Sequence, residues 1–132
     1  MTAAVADTHA LLFHAAASKQ LGKRAAALFA AAERRAAVIY IPVAVMWECA
    51  LLMRLGRIDL RRPLRVFFDD LFSNPAYQSI DLTPEQIYLA AAQRPNDDPF
   101  DALVCAVARQ LDLPLLTRDG DIVESRLVSV IW

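Results

Sequence analysis

The 132-residue sequence has little of several features that often indicate a function. It contains three glycines, two lysines and two cysteines, and its formal net charge is −1 at pH 7. A nucleic-acid binder often carries a strong basic excess, and this chain has none. Its longest uncharged apolar run, residues 36–47, contains Pro42 and is too short to cross a bilayer. These absences disfavour a basic nucleic-acid-binding domain and a protein that spans a membrane.

The two cysteines, Cys49 and Cys105, lie far apart in apolar, helix-like stretches. No Cys-x-x-Cys pair occurs, so we expect two buried free thiols, the usual state in a reducing compartment. The N-terminus also lacks the basic-then-apolar order of a signal peptide. These features together predict a cytoplasmic protein.

Apolar residues make up 57% of the chain, so a full hydrophobic core is available. The length suits one domain spanning residues 1–132, and no linker or internal repeat divides it. Short β-branched runs alternate with longer helix-like segments, which is typical of an α/β fold with a parallel sheet and helices on both faces. The predicted strands are residues 3–6, 38–41, 77–82, 113–117 and 127–131. The predicted helices are residues 8–17, 22–35, 43–55, 63–72 and 98–111, with a further helix starting at Thr83.

Acidic residues stand where several of these segments begin or end. Asp7 follows the first strand, Asp119 follows the fourth, and Glu48 lies inside an apolar helix. Sites in parallel sheets lie beyond the carboxyl ends of the strands, and carboxylate oxygens bind hard cations, so these acids predict a metal site. Simpler alternatives stay open. Asp7 could cap a helix, Glu48 could share a solvent-facing stripe with Arg54 or Arg57, and Asp119 could belong to an Asp-Gly turn.

Asp98 and Asp101 flank a Pro-Phe pair at the start of a predicted helix. Their spacing of three places both carboxylates on one face, where they repel each other unless a cation neutralises them. Asp101 is the better candidate for a metal ligand, because an aspartate directly before a first-turn proline is a natural N-cap. Asp98 is a second candidate, and Asp97 is expected to face solvent.

Taken together, these motifs resemble those of the PIN-domain family, and in particular of the VapC-type toxins of prokaryotic toxin–antitoxin pairs. The resemblance covers nearly the whole chain and implies a PIN-like, three-layer α/β/α fold with a parallel, mostly five-stranded sheet. Two departures stand out: Ala44 and Val45 replace a serine that many relatives carry before the glutamate, and Ala102 replaces a common arginine. The matching segments are Asp-Thr-His-Ala-Leu-Leu-Phe at 7–13, Trp-Glu at 47–48, Asp-Pro-Phe-Asp at 98–101 and Leu-Thr-Arg-Asp at 116–119.

The resemblance implies an endoribonuclease that depends on Mg²⁺ or Mn²⁺. Its catalytic acids would be Asp7, Glu48, Asp101 and Asp119, and these four together with Asp98 would be the metal ligands. No serine, cysteine or lysine stands in an activated-nucleophile context, so water is the expected nucleophile. The resemblance also implies a small antitoxin partner and a homodimer.

Several further residues have two interpretations. Thr117 could donate a hydrogen bond to the acidic cluster or to a substrate phosphate. His9 could contact substrate, or it could instead be packed or capping. Trp47 and Phe13 could stack on RNA bases, but core packing is the usual role of such residues. Five arginines within twelve residues form either a phosphate-contacting face or a solvated surface: Arg54, Arg57, Arg61, Arg62 and Arg65. Apolar helix positions could form a groove for an amphipathic helix or simply pack in the core: Leu11, Leu12, Phe13, Leu51, Leu52 and Leu55.

The sequence has three alternative functions besides that of a toxin. A PIN nuclease acting elsewhere and a catalytically inactive PIN-like module that binds RNA or protein both stay open. A phosphoacceptor signalling domain, with Asp81 as acceptor, is disfavoured because Asp7 has no acidic neighbour. That fold also requires a late lysine, and the only lysines here are Lys19 and Lys23.

Overall fold

The computed structural model describes residues 2–132 and contains a five-stranded sheet in which every strand pairing is parallel. The strand order is β3-β2-β1-β4-β5. The predicted α/β fold with a five-stranded parallel sheet is confirmed. The strands are β1 Thr2–Ala6, β2 Ala37–Pro42, β3 Tyr77–Ile80, β4 Leu115–Leu116 and β5 Val130–Ile131.

Seven helices in the described chain connect and cover these strands. Ala4, Val5 and Ala6 of β1 are all completely buried. Successive strand residues point to opposite faces, so both faces of the central strand are covered. The helices are α1 Thr8–Ala15, α2 Lys23–Glu33, α3 Val43–Arg54, α4 Leu64–Phe72, α5 Pro84–Ala92, α6 Pro99–Leu111 and α7 Gly120–Ser125. None of these helices has the length and hydropathy needed to cross a bilayer.

The order of the strands reverses beside β1. The chain moves from β1 through β2 to β3 on one side and then places β4 and β5 on the other. Val5 pairs with Leu115, and the Asp7 N–H donates to the Leu116 carbonyl at 3.1 Å. The carboxyl ends of β1 and β4 therefore adjoin at a topological switch point, the position where open α/β sheets bind ligands.

Local signals at the helix ends act as the sequence predicts. Thr83 and Gln86 form a reciprocal capping box at the start of α5. Gly56 follows the end of α3 with a φ of +69°, a left-handed conformation that favours glycine. Both cysteines are buried and free, and burial raises the pKa of each thiol to about 12. Neither thiol is therefore a nucleophile at neutral pH.

Three segments differ from expectation in their length or type, beyond small shifts at the ends of other elements. The fourth strand has two residues instead of five, because Pro114 has no N–H to donate and the Leu113 N–H bonds the Ala108 carbonyl at the end of α6. The fifth is also reduced to two residues, since the Leu127 N–H is taken by the Ser125 hydroxyl in a turn. The segment after Asp119, for which an Asp-Gly turn was one alternative, is the short helix α7.

Phe29 of α2 lies at the centre of the core, with 1% of its surface exposed. Its ring stacks on the His14 imidazole with centroids 4.2 Å apart and lies beside the Tyr77 ring. The Tyr77 hydroxyl and His14 Nε2 both contact Oε1 of Glu33. This cluster joins α1, α2 and β3.

We predict that Phe29→Ala lowers the free energy of unfolding by about 3–5 kcal/mol, because it leaves a cavity and removes the ring under His14. Urea denaturation followed by circular dichroism measures this loss. Phe72→Ala, at a half-buried position on α4, is the matched control and should cost clearly less. Equal losses for the two variants would contradict the central position of Phe29.

Candidate active site

A cleft of about 320 Å³ opens at the carboxyl ends of β1 and β4. Four parts of the chain contribute to it: the β1–α1 junction, α3, the start of α6 and the loop after β4. All five predicted metal ligands line this cleft, as does His9. The lining residues are Asp7, Thr8, His9, Glu48, Asp98, Phe100, Asp101, Val104, Arg118 and Asp119.

Asp7 lies at the base of the cleft with 8% of its surface exposed. It is the N-cap of α1, and its Oδ1 accepts a hydrogen bond from the Ala10 N–H at 2.8 Å. Burial raises the pKa of this carboxyl, although hydrogen bonds from Thr117 and Ala10 oppose the shift. The capping role considered from the sequence is thus present, and it does not remove the carboxylate from the cleft.

Thr117 lies in the buried layer beneath the cleft, close to Asp7 and Asp119. Its hydroxyl oxygen accepts from the Asp119 N–H at 3.1 Å, and its side chain opposes the rise in the pKa of the nearby Asp7 carboxyl. Thr117 is fully buried, which does not favour its predicted contact with substrate. Its position fits the other alternative, contact with the acidic cluster at the ends of β1 and β4.

Glu48 reaches the cleft from α3 and is half-buried. Its Oε1 accepts a hydrogen bond from the Thr8 hydroxyl. Within the described chain no ion pair joins Glu48 to Arg54 or Arg57, so the alternative of a shared solvent-facing stripe is not what the structure contains. Thr8, which is itself buried, holds Glu48 toward the start of α1.

The start of α6 supplies two carboxylates. Asp98 is the predicted N-cap, and its Oδ1 accepts from the N–H groups of Phe100 and Asp101. Asp101 accepts from the Asn96 amide at 2.9 Å, and the same amide nitrogen lies 3.2 Å from Asp121. Burial raises the pKa of Asp101 to about 6; the Asn96 hydrogen bond lowers it, and the charges of Asp98, Asp119 and Asp7 raise it further. The carboxylates of the cleft therefore act on one another electrostatically.

Asp119 opens α7, and its Oδ1 accepts from the Ile122 N–H at 3.0 Å. Each acid of the cleft thus accepts a hydrogen bond from a neighbouring protein group. Among residues 2–132, no three histidine, cysteine, aspartate or glutamate side chains are placed to hold one ion as they stand. The acids share one cleft without forming a closed cage.

Two polar residues at the site were not identified from the sequence. Asn96 precedes the Asp-Pro-Phe-Asp motif and bridges Asp101 to Asp121. Arg118 lies inside the Leu-Thr-Arg-Asp motif, between Thr117 and Asp119. Its partner Gln20 is 98 positions away in the sequence, so no local pattern could have indicated the contact.

The aromatic residues near the cleft differ from expectation. Trp47, expected in the core, is 60% exposed on α3. His9 is exposed at the rim of the cleft, with its ring centroid 6.0 Å from that of Phe13, so it is not part of the buried core. Phe13 is half-buried against Trp132 and carries the Arg118 guanidinium on its face, 4.8 Å from the ring centroid.

Members of the arginine cluster have different surroundings. Arg62 pairs with Asp70, and Arg65 pairs with Asp69 four residues along α4. Arg57 and Arg61 form no ion pair within residues 2–132 and line, together with Arg62, a groove of about 690 Å³ that shares His9 with the acidic cleft. Part of the cluster is therefore ion-paired at the surface and part faces the groove.

Comparisons with known proteins concern the family and the fold of the chain. A family model described as the PIN domain matches residues 4–126, whereas comparison with curated proteins finds no match. The fold is similar to VapBC2 from Rickettsia felis bound to a DNA fragment from their promoter, with 13% identity, a TM-score of 0.69 and 98% of each chain covered. It is also similar to a toxin–antitoxin complex from Klebsiella pneumoniae, with 18% identity, a TM-score of 0.63 and coverage of 98% of this chain and 96% of that one. FitAcB from Neisseria gonorrhoeae has 17% identity, a TM-score of 0.65 and coverage of 97% and 96%.

The raised pKa of Asp101 predicts how the metal-free protein responds to pH. The folded pKa is about 6 and the ordinary value is 3.8, so folding favours the protonated form. The contribution of this group to stability is complete below about pH 4 and is lost as the pH rises to 6. The loss is on the order of 1 kcal/mol after allowance for solvent screening.

We expect Asp101→Asn to remove this loss and to raise the melting temperature in EDTA at pH 7.5 relative to the wild type. Thermal melts between pH 4 and pH 8 measure the difference. Asp97→Asn, which changes a fully exposed carboxylate near the same helix, is the control and should follow the wild-type profile. Parallel profiles for all three proteins would contradict the prediction.

Proposed function

This chain belongs to the PIN domain family, and from that premise we propose that it is a divalent-metal-dependent endoribonuclease, the toxin of a toxin–antitoxin pair. It hydrolyses RNA phosphodiester bonds with water as the nucleophile. The observation that carries the proposal is the cleft at the switch point, where carboxylates from four separate parts of the chain meet. The proposed catalytic acids are Asp7, Glu48, Asp101 and Asp119.

The donor set fits Mg²⁺ or Mn²⁺. All five candidate ligands offer carboxylate oxygens, which these hard cations prefer. The pKa values of Asp7 and Asp101 are raised by burial and by neighbouring carboxylates, so the cleft has negative charge that a cation would neutralise. A closed three-residue cage is not required, because Mg²⁺ keeps several waters and binds directly to only one or two carboxylates.

Asp7 and Asp101 would hold the ion, with Glu48, Asp119 and Asp98 acting directly or through water. The chemistry that such an ion supplies is activation of water and stabilisation of charge on the phosphate. The chain itself fixes the ligands. Thr117 orients Asp7 and Asp119, Thr8 orients Glu48, and Asn96 orients Asp101. Supporting hydrogen bonds of this kind tune ligand basicity and orientation.

A small antitoxin is the proposed protein partner, and a homodimer is the proposed assembly. One of the similar structures is described as a toxin–antitoxin complex, and this chain covers 96% or more of each of the three similar chains. Two exposed apolar side chains on or beside α3, Trp47 and Leu55, offer surface for such contacts, at 60% and 64% exposure. The proposed location is the cytoplasm, because that is where an RNA substrate would be found.

We predict that Asp7→Asn and Asp101→Asn each lower RNA cleavage by roughly a hundredfold or more, because each removes a charged ligand and keeps the size of the side chain. Cleavage of labelled single-stranded RNA is measured with EDTA, Mg²⁺ and Mn²⁺. The wild type should be silent in EDTA and active in at least one metal. Asp97→Asn should retain full activity. Wild-type rates in either ligand variant would refute the assignment, and cleavage of DNA but not RNA would refute the substrate class.

The toxin role has its own test. Induced expression of the wild type should arrest bacterial growth, because uncontrolled RNA cleavage depletes the host's transcripts. Asp101→Asn, expressed to the same level, should permit growth, and Asp97→Asn should still arrest it. RNA cleavage in vitro without arrest by the wild type would favour a PIN nuclease with another cellular role.

A further inference from the structure

A single arginine stands at the rim of a cleft that is otherwise acidic. Arg118 is exposed and is the only arginine or lysine among the described residues that line the cleft. Five carboxylates surround the same space, and they repel the phosphates of an approaching RNA. With a net charge of −1 the chain offers no general attraction to offset that repulsion.

The guanidinium of Arg118 is not used to neutralise these acids. Within residues 2–132 it forms no ion pair with any carboxylate of the cleft. Its Nη2 instead donates to Oε1 of Gln20 at 2.9 Å, and its plane lies over the Phe13 ring at 4.8 Å. Both contacts come from α1 and the segment after it, so the side chain is drawn away from the acids toward the rim.

This attachment leaves most of the guanidinium available. Arginine has five N–H donors, and the bond to Gln20 uses one of them. The guanidinium carbon lies 4.8 Å from the centroid of the Phe13 ring, and the other N–H groups have no hydrogen-bond partner within residues 2–132, so they are available to a ligand. A guanidinium edge matches two oxygens of a phosphate, and holding it in place beforehand reduces the entropy lost on binding.

We propose that Arg118 is the residue that positions an RNA phosphate next to the scissile one, with Phe13 and Gln20 holding its guanidinium. This inference rests on the proposed ribonuclease function and names a residue for the substrate. The neighbouring groove shares His9 with the cleft and contains Arg57 and Arg61. It offers the bound RNA a path that leads away from the acids. Arg118 therefore acts in binding, and the acids act in the chemistry.

The test is single-turnover cleavage of a labelled single-stranded RNA at increasing protein concentration, in fixed Mg²⁺ and at several salt concentrations. For Arg118→Gln we expect the half-saturating protein concentration to rise roughly tenfold, the usual effect of losing one charged hydrogen bond. The maximal rate should stay within about twofold. The slope of log affinity against log salt should fall by about 0.7, which corresponds to one phosphate contact on a single strand.

Arg65→Gln is the matched control, since Arg65 is 91% exposed on α4 and lines neither the cleft nor the groove. It should behave as the wild type. Arg118→Lys should recover the salt slope but only part of the affinity, because lysine keeps the charge and loses the forked geometry. Melting curves establish that the variants are folded, and the lysine variant keeps the test valid should the glutamine variant fail to fold.

An unchanged half-saturating concentration and salt slope in Arg118→Gln would overturn the proposal. So would a fall in the maximal rate alone, which would place Arg118 in the chemical step. If the wild type cleaves no RNA in Mg²⁺ or Mn²⁺, the proposed function fails separately. Fluorescence anisotropy of the same RNA in Ca²⁺ then decides the role of Arg118, because a lower salt slope supports the contact and an equal slope overturns it.

Discussion

The site depends on the adjacency of β1 and β4. Because these parallel strands pair directly, with Val5 opposite Leu115, whatever follows one strand lies beside whatever follows the other. Asp7 and Asp119 follow them, and the start of α6 adds Asp98 and Asp101 to the same edge. Like charges are thus brought into a partly buried space by the sheet itself. The raised pKa values of Asp7 and Asp101 are the electrostatic consequence.

Helix starts make this concentration of charge tolerable. Asp7, Asp98 and Asp119 are the N-caps of α1, α6 and α7, where free N–H groups and the positive end of the helix dipole favour a carboxylate. In Asp98 and Asp119 the backbone bonds engage Oδ1 only. The second oxygen of each accepts no hydrogen bond within residues 2–132. Capping therefore orients these carboxylates, and capping and metal binding are compatible roles of one side chain.

The sequence was sufficient for features whose cause is local. Alternating apolar runs predict the parallel sheet, and Asp98 before a proline predicts its cap. Contacts between distant segments, such as the hydrogen bond between Arg118 and Gln20, could not be predicted, because no local sequence pattern links the two residues. Core packing is expected of Trp47 because its neighbours in the sequence are apolar, but its side chain is exposed. Exposure depends on which face of α3 meets α6, and the sequence alone does not give that face. The segment after Asp119, where an Asp-Gly turn was one alternative, is a helix because Asp119 bonds the Ile122 N–H and Ile122 is buried in the core.

The departure at Ala102 has a structural explanation that the sequence could not supply. Ala102 is 7% exposed and packs with Ala90 and Ala106, where α5 and α6 approach closely. An arginine there would have to displace this contact, so in this chain position 102 serves helix packing and does not supply a charge to the cleft. The positive group of the cleft comes instead from the loop after β4, as Arg118. A cation on that loop lies beside Asp119 and contacts Phe13 of α1, so the two strand ends that bring the acids together also place the positive group beside them.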